Sequence, residues 1–114
     1  MPHVYKICPV ALWREAERSG VFRGSEVDRH DGFIHFSTAA QVAETAAKHF
    51  SGQAGLLLVR INTANLGEQL KWEPSRGGAL FPHLYGELAL SAVAQVDPLP
   101  LGPDKRHIFP PLVE

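Results

Sequence analysis

The chain has 114 residues, 45% of them apolar and 20% charged, which predicts a single domain over 1–114 with a core of its own. A formal charge of −1 and a pI near 6.6 leave no bulk attraction for nucleic acid or an anionic membrane. A lone Cys8 excludes an internal disulfide, and no window approaches the ~18 consecutive apolar residues of a membrane span, so the expected setting is cytoplasmic.

The N-terminus, Met1-Pro2-His3-Val4-Tyr5-Lys6, enters an alternating pattern at once and lacks a signal peptide's apolar run. Val4 to Cys8 reads as a strand, and Pro9 suits the first turn of a helix, where its missing N–H costs nothing. That helix turns Leu12, Trp13 and Ala16 inward and ends at Gly20 as a left-handed cap. Residues 21–31 have no period and several turn formers, and are expected to be a loop.

Gly32 to Ser37 reads as a second strand. Thr38 with Gln41 three residues on matches a helix-start capping box, and Ala39, Val42, Ala43, Ala46 and Phe50 share one face up to a stop at Ser51-Gly52. In Leu56 to Ile61, Leu57, Val59 and Ile61 alternate with Leu56, Leu58 and Arg60 without a fully polar face, which predicts a central strand. Residues 69–74 are extended, with Leu70 and Trp72 on one side and Lys71 and Glu73 on the other. A turn over Ser75-Arg76-Gly77-Gly78 leads to an extended run from Leu80 to Tyr85. A further strand is expected over Ala92 to Val96. Seven of the nine prolines follow position 73, and residues 97–114 are expected as an extended tail packing Leu99, Leu101, Ile108 and Phe109. The sum is an α+β domain with two early helices.

P-loop, zincin and nucleophile-elbow signatures are absent. The polar residues of interest gather in two strand motifs. In Asp31-Gly32-Phe33-Ile34-His35-Phe36-Ser37-Thr38, alternation places Phe33, His35 and Ser37 on one face at a helix entrance, where free N–H groups suit a phosphate or carboxylate; the plain alternative is a helix cap beside a hydrogen-bonded histidine. In Phe81-Pro82-His83-Leu84-Tyr85-Gly86-Glu87, the residues Phe81, His83 and Tyr85 share a face, and Gly86 lets backbone approach a ligand. The alternative is an edge strand whose aromatics complete the core. Glu73, held extended by Pro74, is placed to act as a general base or to fix an imidazole tautomer, or else is a solvated strand residue. His30, Asp28, Asp31 and His35 match no compact metal motif, and no metal is expected. Cys8 near a helix start is read as an inert buried thiol.

Tyr5-Lys6-Ile7, Trp13, Ala16 and Gly20, then the Asp31–Ser37 motif with Gln41, and finally Phe81-Pro82-His83-Leu84-Tyr85-Gly86, resemble the bacterial family catalogued as domain of unknown function 952. The resemblance extends to about Asp97. It implies an ADP-ribosyltransferase-like fold, with split, strongly bent β-sheets holding NAD in a cleft. In the order of that fold, Tyr5 and Lys6 take the first-strand position and Gly32 to Ser37 takes the second, with His35 where a Tyr or Ser is common. The late-strand position falls near His83, Tyr85 and Glu87 without matching the transferase Glu.

The resulting expectation is an ADP-ribosyl-transferring or NAD-processing enzyme, with NAD as substrate rather than cofactor. His35, Glu73 and His83 are its catalytic candidates, and Tyr5, Lys6, Ser37, Thr38, Tyr85 and Gly86 its ligand-binding candidates. The expected partner is a small nucleotide, with no nucleic acid and no membrane. The alternatives are a non-catalytic nucleotide- or anion-binding module, whose product analysis stays blank, and a protein-interaction domain using its late aromatic strands.

Overall fold

A computed structural model describes residues 3–114, the Arg76 side chain excepted, so Met1, Pro2 and that side chain of the 75–78 turn lie outside the described residues. Strand β1 (His3–Pro9) pairs antiparallel with β4 (Leu56–Asn62), which pairs in turn with β8 (Val93–Pro98). The apolar residues of β4, interrupted only by Arg60 before Asn62, have the physical consequence expected of them: the strand is central and buried on both faces. Leu57, Val59 and Ile61 pack with Val4, Cys8, Trp13 and Phe22, while Leu56 and Leu58 pack with Tyr5, Ile7, Val42 and Leu99.

A second antiparallel sheet has the order β3 (Ile34–His35), β6 (Leu80–Leu84), β5 (Leu70–Pro74). The two sheets meet where Tyr5 and Ser37 exchange backbone hydrogen bonds of 2.7 and 2.9 Å. A third, two-stranded sheet pairs β2 (Val21–Phe22) with β7 (Leu88–Ala89).

Helix α1 (Val10–Ser19) buries Trp13 and Ala16 and half-buries Leu12, as its spacing predicts. Pro9 stands just before the helix as its N-cap, one position earlier than expected. Gly20 closes it at φ 89°, its N–H donating to the Ala16 carbonyl at 2.8 Å.

The expected loop over 21–31 is corrected: it contains β2 and a helix, α2 (Glu26–Asp31). The cause is local chemistry rather than periodicity. Ser25 Oγ accepts from the Asp28 N–H while Asp28 Oδ2 accepts from the Ser25 N–H, a reciprocal capping box that starts the helix, and Gly32 ends it at φ 86°. Helix α3 spans Val42–His49 and starts later than Thr38 suggests. The Gln41 side chain accepts from the Thr38 N–H at 3.1 Å, but no side chain caps the helix itself, and residues 39–41 form a turn. Val42 and Ala46 are buried and Ala39 and Phe50 partly so, whereas Ala43 faces solvent. The class is therefore α+β with three helices among the described residues, not two.

Beyond β8 the chain runs extended over the second core. Leu99 is buried and donates its N–H to the Leu56 carbonyl at 3.0 Å, and Phe109 and Leu112 pack against Tyr5 and its neighbours. Ile108, expected to pack, is exposed. No helix is long and apolar enough to cross a membrane among the described residues.

Candidate functional site

Pairing of β3 with β6 sets His35 directly opposite His83. Alternation then puts Phe33 beside His35 and Tyr85 beside His83 on the same side, while Ile34, Phe36 and Leu84 enter the core. The result is a cluster of four rings. Phe33 stacks on His83 with centroids 4.2 Å apart and tilts against His35 at 4.6 Å and Tyr85 at 5.2 Å, and the two imidazoles meet edge to face at 5.4 Å.

Each imidazole is oriented by carboxylates, but differently. His83 is buried, and its Nδ1 lies 2.8 Å from Glu73 Oε1, which also accepts from the Tyr85 hydroxyl at 2.8 Å. With the ring hydrogen on Nδ1 donated to Glu73, the lone pair of His83 lies on Nε2, which has no hydrogen-bond partner among the described residues. His35 has Nδ1 at 2.6 Å from Asp28 Oδ1 and Nε2 at 3.0 Å from Asp31 Oδ2, so both nitrogens face carboxylates. Of the two, His83 alone keeps a nitrogen without a hydrogen-bond partner among the described residues.

Asp28 is the hub under His35. Its second oxygen pairs with the Lys6 ammonium at 2.7 Å, and Lys6 also donates to the His35 carbonyl at 3.0 Å. Burial alone would raise the Asp28 carboxyl; the His35 hydrogen bond, the Lys6 charge and hydrogen bond, and the Ser25 N–H outweigh it and hold the group well below the usual carboxylate range. Glu73 is lowered by its hydrogen bonds from His83 and Tyr85, and Tyr85 is raised because its hydroxyl donates to Glu73.

Of the residues singled out from sequence, His35, Glu73, His83, Tyr85 and Lys6 come together in this cluster. Gly86 joins them at its border, lining with Phe33, Gly32, Arg23, Arg29 and Glu87 a cleft of about 240 Å3. A Cβ at Gly86 would come within 2.6 Å of the Gln69 amide, so the glycine permits a close approach. Three candidates are directed elsewhere. Tyr5 lies on the face of β1 opposite Lys6, and its hydroxyl donates to the Val113 carbonyl and accepts from the Val113 N–H. Ser37 is buried with Oγ 2.9 Å from Thr45 Oγ1, and Thr38 is buried at the entrance of α3. These contacts tie Tyr5 and Ser37 to the tail and to α3. Cys8 is buried, and loss of solvent pushes its thiol up to about 11, in keeping with an inert group.

Sequence reasoning passed over Arg23 and Arg29, and weighed Asp28 only as a metal ligand, not as the partner of His35 and Lys6. The signal for Asp28 was present in Ser25-x-x-Asp28, the capping pattern that makes α2. Nothing in the local pattern around Arg23 or Arg29 points into a cleft. Among the described residues, no group of three or more His, Cys, Asp or Glu is arranged to hold a metal ion.

Comparison with known proteins agrees with the motifs. The profile of a family described as a protein of unknown function (DUF952) matches residues 7–96, and the chain belongs to that family. The crystal structure of protein CC0527 from Caulobacter crescentus is similar at 50% identity, over 93% of each chain, with a TM-score of 0.89. The solution NMR structure of CC0527 is similar at 51% identity over 92% of this chain and 90% of that one, with a TM-score of 0.83. No curated protein matches.

Proposed function

We propose that this DUF952 chain binds a nucleotide of the ADP-ribose type, NAD among them, against the Phe33–Tyr85 ring cluster and transfers or hydrolyses its ADP-ribosyl group. The observation that carries the reading is the Glu73–His83 pair. A carboxylate fixes the imidazole so that Nε2 presents a lone pair beside an aromatic shelf, the arrangement of a general base next to a ring-binding surface. In hydrolysis, the oxygen of water bonds to the anomeric carbon as the bond to the leaving group breaks. His83 takes the proton, and Glu73 stabilises the imidazolium that forms. Exposed Tyr85 and half-buried Phe33 offer ring faces for stacking. Two three-stranded sheets joined at the Tyr5–Ser37 bridge support reading the fold as the split-sheet ADP-ribosyltransferase type.

A second reading, a nucleotide- or anion-binding module without turnover, is favoured by His35, whose ring nitrogens are both occupied by carboxylates. The two separate in one experiment: the chain is incubated with NAD, and products are resolved by chromatography. Release of nicotinamide by the wild type, lost in His83→Ala with nucleotide binding retained, supports catalysis. Binding without product in either supports the module, and absence of both removes the reading.

A further inference from the structure

A second cleft, of about 190 Å3, lies between α1 and β2 and is lined by Leu12, Glu15, Ser19 and Val21 among others; it shares Arg23 and Arg29 with the cleft beside Phe33. We propose that Arg23 and Arg29 form an anion seat between two subsites, so that the ligand is a phosphoryl compound with an organic arm on each side. One arm lies against Phe33 and the other enters the α1 cleft. The inference rests on the nucleotide reading only for the identity of the first arm.

Two guanidiniums on a shared wall match the spread charge of a diphosphate or phosphodiester, whose oxygens accept their paired N–H groups. Arg29, in the last turn of α2, forms no ion pair among the described residues. Arg23 continues the β2–β7 register and pairs with Glu87 at 2.6 Å, both side chains more than half exposed. A pair so open to water contributes little to stability, so an incoming phosphoryl group replaces the Glu87 carboxylate at small cost. The α1 cleft has an apolar floor of Leu12, Ala16 and Phe22 with Glu15 at its lining. It suits a compact second ring or sugar with a donor for that carboxylate better than a second anion.

Calorimetric titration of the full chain with pyrophosphate, AMP and ADP-ribose tests the seat. ADP-ribose is expected to bind at least tenfold more tightly than AMP. Arg29→Ala is expected to weaken pyrophosphate and ADP-ribose at least tenfold. Glu15→Trp, a substitution at an exposed position that obstructs the α1 cleft from its solvent side, is expected to remove the advantage of ADP-ribose and leave AMP unchanged. Equal affinity for AMP and ADP-ribose, unaffected by Glu15→Trp, overturns the second subsite. Loss of Arg29 dependence for both pyrophosphate and ADP-ribose overturns the seat. Arg29-dependent binding of pyrophosphate with no binding of either nucleotide keeps the seat and removes the nucleotide reading instead.

Discussion

Asp28 concentrates more of the site's electrostatics than any of the histidines. It is almost fully buried, pairs with a buried Lys6, orients His35 and caps its own helix. Asp28→Asn leaves the Lys6 ammonium buried without its counter-charge, and is expected to cost about 3–5 kcal/mol in urea unfolding at pH 7. The pH dependence follows from the direction of its shift. Because the folded carboxyl is held below its unfolded value of about 3.9, its contribution is complete above that value. It is lost as pH falls from there through the depressed folded value. Acid unfolding of the wild type should therefore steepen below about pH 4, and that component should be missing in Asp28→Asn.

A second prediction concerns Tyr85. Its hydroxyl donates to Glu73, so its phenol should ionise above the usual value of about 10, and Glu73→Gln should return it towards that value, read from the Tyr85 ring-carbon shift. At this scale the sequence was informative wherever strict alternation holds. Phe33 with His35, and His83 with Tyr85, were placed on the correct faces by period alone. The hydroxyl partners of Tyr5 and Ser37, Val113 and Thr45, are set by tertiary packing that no local period encodes.

Helix α2, six residues long, supplies Asp28 and Asp31 to His35 and places Arg29 in the cleft wall. A helix of fewer than two turns shows no hydrophobic period, and a two-residue strand such as β2 shows no alternation. The segment therefore reads as a loop by period, although its capping box is written in Ser25 and Asp28. By contrast β4 and α1 are long enough for period and burial to agree, and their placement was legible. The entry to α2 is also where backbone geometry is tightest. Gly24 has φ +99°, and a Cβ there would sit 2.7 Å from the Asp28 Cβ. Gly24→Ala thus combines a strained backbone with displacement of the capping carboxylate. It is expected to destabilise by more than about 1 kcal/mol and to shift the His35 ring signals, whereas Gly20→Ala, where a Cβ meets nothing within 4 Å, should leave those signals in place.

Across the whole molecule, the first strand divides two tasks between its faces. Lys6 supports the ring cluster on one side, while Tyr5 on the other holds the C-terminal tail through both backbone groups of Val113. Tyr5→Phe removes the hydroxyl without changing the packed ring. It should speed carboxypeptidase trimming and amide exchange near residue 113 while leaving His35 and His83 signals unmoved. The tail's course was legible only in outline. Prolines announced extended chain and Leu99 its anchor, but Ile108 faces water because the 101–107 turn, closed by Gly102 and Arg106, carries it away from the core. Sheet order and the meeting of the two sheets at Tyr5–Ser37 depend on pairings distant in sequence, which no local pattern encodes.

The claim that the ring cluster is a nucleotide site is tested most directly by titrating ADP-ribose into the full chain. The observables are the imidazole signals of His35 and His83 and the ring signals of Phe33 and Tyr85. Saturable shifts confined to these four rings and the neighbouring Gly86, at millimolar ligand or below, are the predicted result. Unmoved rings at millimolar ligand, or shifts appearing only along the tail, would contradict it.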